Sequence, residues 1–298
     1  MTGAGDPVVL RVAGPSATLL IGGEVVEAPI APRLPAGPPV VGDRVEVRRR
    51  DGAVVVTGIR PRATRLERVT GPPGRPRPRV VVANADLLLV VASLVDPPLR
   101  PWIVDRYLVA AAAGGLRAAV VLTKADLPHD PREEEEVAAR YRAAGYPVLV
   151  GSALGGPLVE ETRRLIDGCV AALAGESGVG KSTLTRALSG VERAVGEVGG
   201  RRRTGRHTTT DPRLILLPGG GGIVDTAGVR SFYLPPMEPA DLARAFPEIR
   251  ALAGECRFDD CRHTGEPGCA VAGRVSPERL ESYRRLLASI GKGRGAAA

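Results

Sequence analysis

Aromatic side chains are scarce in this sequence, where phenylalanine, tryptophan and tyrosine together make up 3% of the 298 residues. Nucleic-acid binding by stacking of bases on aromatic platforms is therefore not the expected mode. No apolar run approaches the roughly 20 residues that a helix needs to span a bilayer. The first residues also lack a basic region followed by an apolar core, so no signal peptide is predicted. We expect a cytoplasmic protein with no membrane partner.

Cysteine is also rare, and three of its four copies fall within residues 256–269. This distribution suits a metal site better than a disulfide framework. The candidate ligands are Cys256, Cys261, His263 and Cys269. Three thiolates and one imidazole form the usual closed tetrahedral set for structural zinc, and four protein ligands leave no open position for catalysis. Chance clustering of reduced cysteines is the alternative. Cys169, in a predicted strand, is interpreted as a buried small hydrophobe.

Acidic residues are outnumbered by basic ones. The chain has 41 Lys and Arg residues against 33 Asp and Glu, which gives a net charge of +8. A positive excess favours polyanionic partners such as RNA or DNA, with arginine contacting the phosphates. A solvated basic surface is the alternative explanation.

The length allows two or three domains, and the first segments differ in composition. Residues 8–60 alternate about five short β-rich runs with glycine and proline turns, which predicts an OB-type β-barrel over residues 1–60. Any small β-module is the alternative. Residues 61–84 are rich in proline and arginine. Because proline removes backbone donors, we predict a basic linker without regular hydrogen bonding. A basic arm that contacts phosphates is the other interpretation.

From residue 85 to residue 235, apolar runs alternate with helical patterns, which predicts an α/β domain with a parallel sheet. The run Asp86–Ala92 is typical of a strand buried on both faces. After this domain the sequence turns helical, and Ser276 before Pro277 fits the N-cap of a last helix. Residues 236–298 are therefore predicted to form a zinc-binding helical module, and the whole chain a multidomain α/β protein.

A phosphate-binding loop follows one of the predicted strands and precedes a predicted helix. The residues that fit GxxxxGK[ST] are Gly175, Glu176, Ser177, Gly178, Val179, Gly180, Lys181 and Ser182. Glycines let backbone N–H groups turn inward around the phosphates, Lys181 reaches the β and γ oxygens, and Ser182 offers a hydroxyl to Mg²⁺. Thr183 completes the predicted nucleotide-binding segment.

Two base-reading segments come before this loop. Thr123, Lys124, Ala125 and Asp126 follow one predicted strand, and Ser152 and Ala153 follow the next. The two oxygens of Asp126 can accept from N1–H and N2–H₂ of guanine, a donor pair that adenine lacks. Lys124 is expected to pack along the base. Thr123 replaces the usual asparagine but keeps a hydroxyl that can tie the loop.

Two segments predicted to sense the γ-phosphate come after the phosphate loop. Asp225 and Gly228 frame a DxxG loop, in which Asp225 is expected to hold Mg²⁺ through water and the Gly228 N–H to meet the γ-phosphate. Upstream, Thr209 is the candidate hydroxyl ligand of Mg²⁺, with Thr208 and Thr210 as competitors.

Residue 229 is valine, where many related enzymes carry a glutamine that orients the attacking water. Valine cannot position water, so we expect slow intrinsic hydrolysis. His207 is the candidate group to orient or deprotonate the water, with contact to RNA or solvent as the alternative. Lys181 and Thr209 complete the predicted catalytic set. The arginines interpreted as RNA contacts are Arg201, Arg202, Arg203 and Arg206.

The order of these loops differs from the usual one, because the base-reading segments precede the phosphate loop. Nucleotides bind at the carboxyl ends of parallel strands, where neighbouring loops need not be sequential. Chain termini often lie close together in a domain, so a circular permutation preserves the site. The order predicts a circularly permuted P-loop GTPase domain. Since its γ-phosphate-sensing loops run into the C-terminal module, we infer that this module or its partner senses the nucleotide.

In these motifs the chain resembles the ribosome small subunit-dependent GTPase A family over nearly its whole length. The residues that carry the resemblance are Gly175–Ser182, Gly205–Thr210, Asp225–Gly228, the four candidate zinc ligands, and Asp105-Arg106-Tyr107-Leu108. The resemblance implies a late factor in 30S subunit maturation that binds GTP and GDP, contacts 16S rRNA and hydrolyses GTP when the subunit stimulates it. It also implies that His207 is the proposed catalytic residue. A monomer is the default expectation.

Other classes of function remain open at this point. An RNA-binding assembly chaperone could use the nucleotide site as a passive latch. A permuted GTPase could also act on a non-ribosomal RNA or on a protein.

Overall fold

The computed structural model describes residues 6–50, 52–70, 77–190, 212–226, 234 and 237–292. These ranges contain strands β1–β13 and helices α1–α7. None of these helices combines the length and the apolar content that a bilayer crossing demands.

The first five strands form a small closed barrel, as predicted. They are β1 (Val8–Ala13), β2 (Ser16–Ile21), β3 (Glu24–Pro29), β4 (Val45–Arg50) and β5 (Ala53–Ile59). Strands β1, β2 and β3 pair as an antiparallel meander, and β4 pairs with β5. Bridges Val8–Arg44 and Ile30–Val56 join the two groups. The resulting order, β1-β2-β3-β5-β4 and back to β1, is that of an OB-type barrel around a core that includes Val9, Leu19 and Val56.

The segment predicted to be an irregular linker, residues 61–84, is instead largely a β-hairpin. Strands β6 (Arg65–Thr70) and β7 (Arg77–Ala83) pair antiparallel over six residue pairs. The prediction was wrong because the number of prolines was considered and not where they lie relative to the two strands. Most of them precede β6 or lie between the strands, and Pro78 belongs to a two-stranded pair in which each strand is an edge.

This hairpin is fastened tightly to the barrel. The Ala83 N–H donates to Val41 O at 3.0 Å. Gly42 approaches so closely that a Cβ there would lie 2.0 Å from Ala83 O. The Arg62 guanidinium donates to both oxygens of the fully buried Asp43 carboxylate, at 2.7 and 2.8 Å. The side-chain hydrogen bond to Asp43 is the main cause that raises the pKa of Arg62. Barrel and hairpin therefore form one packed unit.

The central sheet belongs to the predicted GTPase domain. Its remaining strands are β8 (Leu87–Ser93), β9 (Arg117–Thr123), β10 (Val148–Val150), β11 (Val170–Ala174), β12 (Arg213–Leu216) and β13 (Gly222–Asp225). The order is β10-β9-β8-β11-β13-β12, followed by β1-β2-β3 of the barrel. In the sheet, the five neighbouring strands β10, β9, β8, β11 and β13 pair in parallel. Strand β12 pairs with β13 in the antiparallel direction. All seven residues of β8 are buried, as its apolar run predicted.

Helices cover both faces of this sheet. They are α1 (Pro101–Ala113), α2 (Pro131–Ala143), α3 (Pro157–Leu165) and α4 (Lys181–Ser189). Leu108 of α1 and Tyr141 of α2 pack in one apolar cluster, and Leu158 of α3 and Leu184 of α4 pack in the other. Such an arrangement brings the loops at the carboxyl ends of the parallel strands to a common edge.

The C-terminal module contains α5 (Pro239–Arg244), α6 (Pro247–Ala253) and α7 (Pro277–Lys292). Ser276 caps α7 as predicted, since its Oγ accepts from the Arg279 N–H at 3.2 Å. Helix α6 was not predicted. The module has an apolar core that includes Phe246, Ile249 and Tyr283 and extends to Val109 of α1, so metal is not its only source of stability.

A buried ion cluster docks this module on the GTPase domain. Arg279 of α7 donates to Asp105 of α1 and, from Nε at 2.6 Å, to Glu248 of α6. Arg279 is 2% exposed and Asp105 is fully buried. The Arg279 guanidinium also lies 4.5 Å from the centre of the Phe246 ring. Burial raises the pKa of Asp105, although the Arg279 charge opposes the shift.

Candidate nucleotide site and metal centre

The loop between β11 and α4 has the backbone that the phosphate-loop motif requires. Gly175 has a φ of +149°, and a Cβ there would lie 2.1 Å from Val91 O. Gly180, which immediately precedes α4, has a φ of +94° in the left-handed region. Only glycine adopts both positions without strain or collision. The chain therefore turns tightly from the strand into the helix N-terminus, where unpaired N–H groups favour an anion.

Lys181 stands at the start of α4 and folds back over this loop. Its Nζ donates to Gly175 O at 2.8 Å and to Glu176 O at 2.6 Å. Burial lowers the pKa of Lys181, while the carboxylates of Asp225 and Glu176 act in the opposite direction. A cation is thus held against the loop, next to the end of β13, in an arrangement that suits phosphate oxygens.

The loop after β9 contacts the phosphate loop directly. The Thr123 hydroxyl is fully buried and lies 2.6 Å from Val179 O and 3.1 Å from Ala92 O. Having one proton, it donates to the nearer carbonyl. The Ala153 side chain, from the loop after β10, lies 3.6 Å from where a Gly180 Cβ would stand. Three segments far apart in sequence therefore meet at one place.

The two predicted base-reading loops are also joined to each other. The Gly151 N–H donates to Leu122 O at 3.0 Å, and the Ala125 N–H donates to Gly151 O at 3.3 Å. Asp126 is exposed on this rim, and the Ser152 hydroxyl accepts from the Leu154 N–H at 3.3 Å. The loops thus leave the Asp126 carboxylate accessible.

Sequence reasoning missed the loop between β8 and α1, residues 94–100, which lies across both neighbouring loops. Lys124 Nζ donates to Asp96 O, and Arg100 Nη1 lies 3.4 Å from Glu176 Oε1. The signal that could have found it is position, because β8 lies between β9 and β11 and its C-terminal loop must open on the same edge.

Asp225 ends β13 beside the phosphate loop. It is 8% exposed, and the next residue, Thr226, donates through its hydroxyl to Leu173 O on β11. Because β13 pairs in parallel with β11, whose end leads into the phosphate loop, Asp225 and Lys181 stand at the same edge of the sheet. Outside the described residues lie the remaining switch candidates, which are Arg201, Arg202, Arg203, Arg206, His207, Thr208, Thr209, Thr210, Gly228 and Val229.

The four candidate metal ligands come together in the C-terminal module. The sulfur atoms of Cys256, Cys261 and Cys269 lie 3.7, 3.6 and 3.5 Å from Nδ1 of His263. All four ligand atoms lie within 4.8 Å of one another. Ligands at about 2.0–2.3 Å from a tetrahedral zinc ion have separations of this order. Burial lowers the pKa of His263, which favours the neutral imidazole that binds metal.

Glu266 braces the turn that carries these ligands. Its carboxylate accepts from the backbone N–H groups of Arg262 at 3.1 Å, Thr264 at 2.7 Å and Gly265 at 3.1 Å. Burial opposes ionisation, but the backbone hydrogen bonds outweigh it and lower the pKa of Glu266 to about 2. The donor set, its spacing and its support all fit one structural zinc ion.

Comparison with known proteins agrees with this geometry. Residues 59–235 match the family described as RsgA GTPase. The small ribosomal subunit biogenesis GTPase RsgA of Azotobacter vinelandii is 40% identical over 281 residues, covering 91% of this chain and 80% of the relative. That of Gemmatimonas aurantiaca is 44% identical over 255 residues, covering 83% and 82%.

Solved structures give the same result. YjeQ from Thermotoga maritima is 28% identical, with a TM-score of 0.76, covering 96% of this chain and 98% of that one. YloQ, described as a circularly permuted GTPase, is 26% identical, with a TM-score of 0.75 and coverage of 100% and 99%. The barrel, the permuted order of the nucleotide loops and the cysteine–histidine cluster were each expected from the sequence. With these comparisons they establish that the chain belongs to the RsgA family of circularly permuted GTPases.

Proposed function

We propose that this protein hydrolyses GTP in the late maturation of the small ribosomal subunit, and that docking on the subunit stimulates the reaction. The observation that carries the proposal is the hydrogen bond from Thr123 to Val179 O at 2.6 Å. It joins a predicted guanine-reading loop to a phosphate loop within a chain whose relatives are named for small-subunit biogenesis.

In this proposal one nucleotide spans the common edge of the sheet. Asp126 accepts from the guanine N1–H and N2–H₂, and Lys124 packs along the base. The residues from Gly175 to Thr183 surround the phosphates, and Lys181 neutralises the β and γ oxygens. The residues that would hold Mg²⁺ are Ser182, Asp225 and Thr209, and the ion would neutralise charge that develops on the transferred phosphoryl group.

The attacking water needs a group to orient it, and Val229 cannot supply one. We assign this role to His207, whose imidazole can orient or deprotonate water. The Gly228 N–H contacts the γ-phosphate. Because the DxxG segment runs into the C-terminal module in sequence, docking of that module on the subunit can act on the γ-phosphate-sensing residues and complete the site.

The C-terminal module holds one structural zinc ion through Cys256, Cys261, His263 and Cys269. Four protein ligands close the coordination sphere, so the ion stabilises the module and takes no part in hydrolysis. The module, the barrel and arginines such as Arg201 and Arg206 would contact 16S rRNA. We propose a cytoplasmic monomer with domains at residues 1–60, 85–235 and 236–298, in which strands β6 and β7 of the segment 61–84 accompany the barrel.

The test is the GTPase rate of the purified protein titrated with 30S subunits, with 50S subunits as the control. We expect slow turnover alone and strong stimulation by 30S subunits only. His207→Ala should bind GTP normally but lose the stimulated rate. Equal rates with and without 30S subunits would refute the proposal, and unchanged stimulated turnover of the variant would refute the assignment of His207.

A further inference from the structure

Leu127 follows Asp126 in the guanine-reading loop, and both its backbone N–H and its backbone carbonyl have hydrogen-bond partners. The Leu127 N–H donates to Lys124 O at 3.0 Å. Leu127 O faces Nδ1 of His129 at 2.7 Å. The N–H and the carbonyl of Leu127 are therefore both held in place. The contact of the carbonyl depends on the His129 side chain, which has no role in the proposed function.

The other nitrogen of the His129 ring has a partner on α2. Nε2 lies 2.6 Å from Oε2 of Glu134, in the first turn of that helix. The side chains of His129 and Glu134 are 15% and 27% exposed. His129 thus links the loop that carries Asp126 to a helix that is packed against the central sheet.

The two partners of the His129 ring, Leu127 O and Glu134 Oε2, are both hydrogen-bond acceptors, so the contacts favour the protonated ring. A neutral imidazole has one N–H, so it satisfies one acceptor and turns a lone pair toward the other. Only the imidazolium donates to both. The hydrogen bond to Leu127 O and the one to Glu134 raise the pKa of His129 from its ordinary value of 6.5. Glu134 on α2 and Asp130 in the loop are the charged groups that act on the ring.

We propose that His129 is a positioning residue for guanine recognition, because its imidazolium clasps the Asp126 loop to α2. The clasp is complete when the ring is protonated and is lost as the pH rises through the raised pKa. Guanine nucleotides therefore bind most tightly at mildly acidic pH. The inference rests on the proposed role of Asp126 and adds a residue that sets the geometry of that carboxylate.

The test measures the affinities of the full-length protein for GDP and IDP between roughly pH 6 and pH 8.5. IDP lacks the 2-amino group, so the ratio of the two affinities reports on Asp126. His129→Gln should weaken GDP binding at the acidic end by about threefold to fivefold, the size expected of a partly exposed ion pair. It should also bring the ratio of the GDP and IDP affinities closer to one. The part of the pH dependence of GDP binding that comes from titration of the His129 ring should disappear.

Two further variants sharpen the result. His129→Arg provides N–H donors that stay protonated across the whole pH range of the assay. At high pH this variant should therefore bind GDP as tightly as the unmodified protein does at acidic pH. Glu133→Gln is the matched control, since Glu133 lies beside Glu134 in the same turn and has no ion pair within the described ranges. It should behave as the unmodified protein does.

The inference is overturned if His129→Gln leaves the pH profile and the GDP-to-IDP ratio unchanged. It is also overturned if the variant weakens GDP and IDP equally at every pH, since that is a general structural effect. Asp126→Asn separates this outcome from failure of the proposed function. If Asp126→Asn leaves the ratio intact, base recognition by Asp126 itself is wrong.

Discussion

The contact between Thr123 and the phosphate loop makes a quantitative prediction. Thr123→Val keeps the shape of the side chain and removes the hydroxyl that donates to Val179 O at 2.6 Å. Val179 is 2% exposed, so water is not well placed to replace the donor. Leaving a buried acceptor without its partner costs about 1–3 kcal/mol.

This cost should be divided between two measurable quantities. The contact is present without nucleotide, so part of the cost lowers the stability of the GTPase domain. The rest appears in binding, because the phosphate loop must adopt the same backbone around its ligand. Since 1.4 kcal/mol corresponds to a tenfold change in an equilibrium constant, we expect GDP to bind up to about tenfold more weakly.

The assay combines titration of fluorescent GDP with thermal unfolding of the same samples. Thr123→Ser is the control, because it retains the hydroxyl and should bind GDP much as threonine does. If Thr123→Val matched the unmodified protein in both the melting temperature and the GDP affinity, the hydrogen bond would not join the two loops as described.

Three other changes test separate parts of the account. Asp126→Asn should lose preference for GDP and gain affinity for xanthosine diphosphate, measured by competition binding; retained guanine preference would contradict the assignment. Arg279→Ala should lower the stability by about 3–5 kcal/mol in denaturant unfolding, because it leaves buried carboxylates without a cation, and an unchanged midpoint would show that the ion cluster is unimportant. Cys261→Ser should lose zinc in metal analysis and make the C-terminal module sensitive to protease, whereas a metal-free but equally resistant module would rule out a stabilising zinc ion.

Local patterns in the sequence predicted much of the fold. The buried strand β8 and the phosphate-loop turn at Gly175 follow from apolar runs and from positions that require glycine. The cap at Ser276 follows from chemistry within four consecutive residues. Such features need no knowledge of distant parts of the chain, so composition and spacing suffice for them.

Other features depend on tertiary contacts that spacing does not encode. Arg279 and Asp105 are separated by 174 positions, and either charge alone is typical of a surface. The hairpin Arg65–Ala83 is held by the barrel, which overrides the proline-rich composition. Asp96 gains its contact with Lys124 only because β8 and β9 are neighbours in the sheet. The roles of His207 and Thr209 remain predictions from the motifs.

The central claim is that one guanine nucleotide spans loops that are far apart in the permuted chain. The most direct test is an experimental structure of the protein with GDP and Mg²⁺. The account predicts that both Asp126 oxygens lie within hydrogen-bonding distance of guanine N1 and N2, while the phosphates lie against the backbone N–H groups from Gly178 to Ser182. A nucleotide whose base is bound away from Asp126 while its phosphates occupy that loop would contradict it.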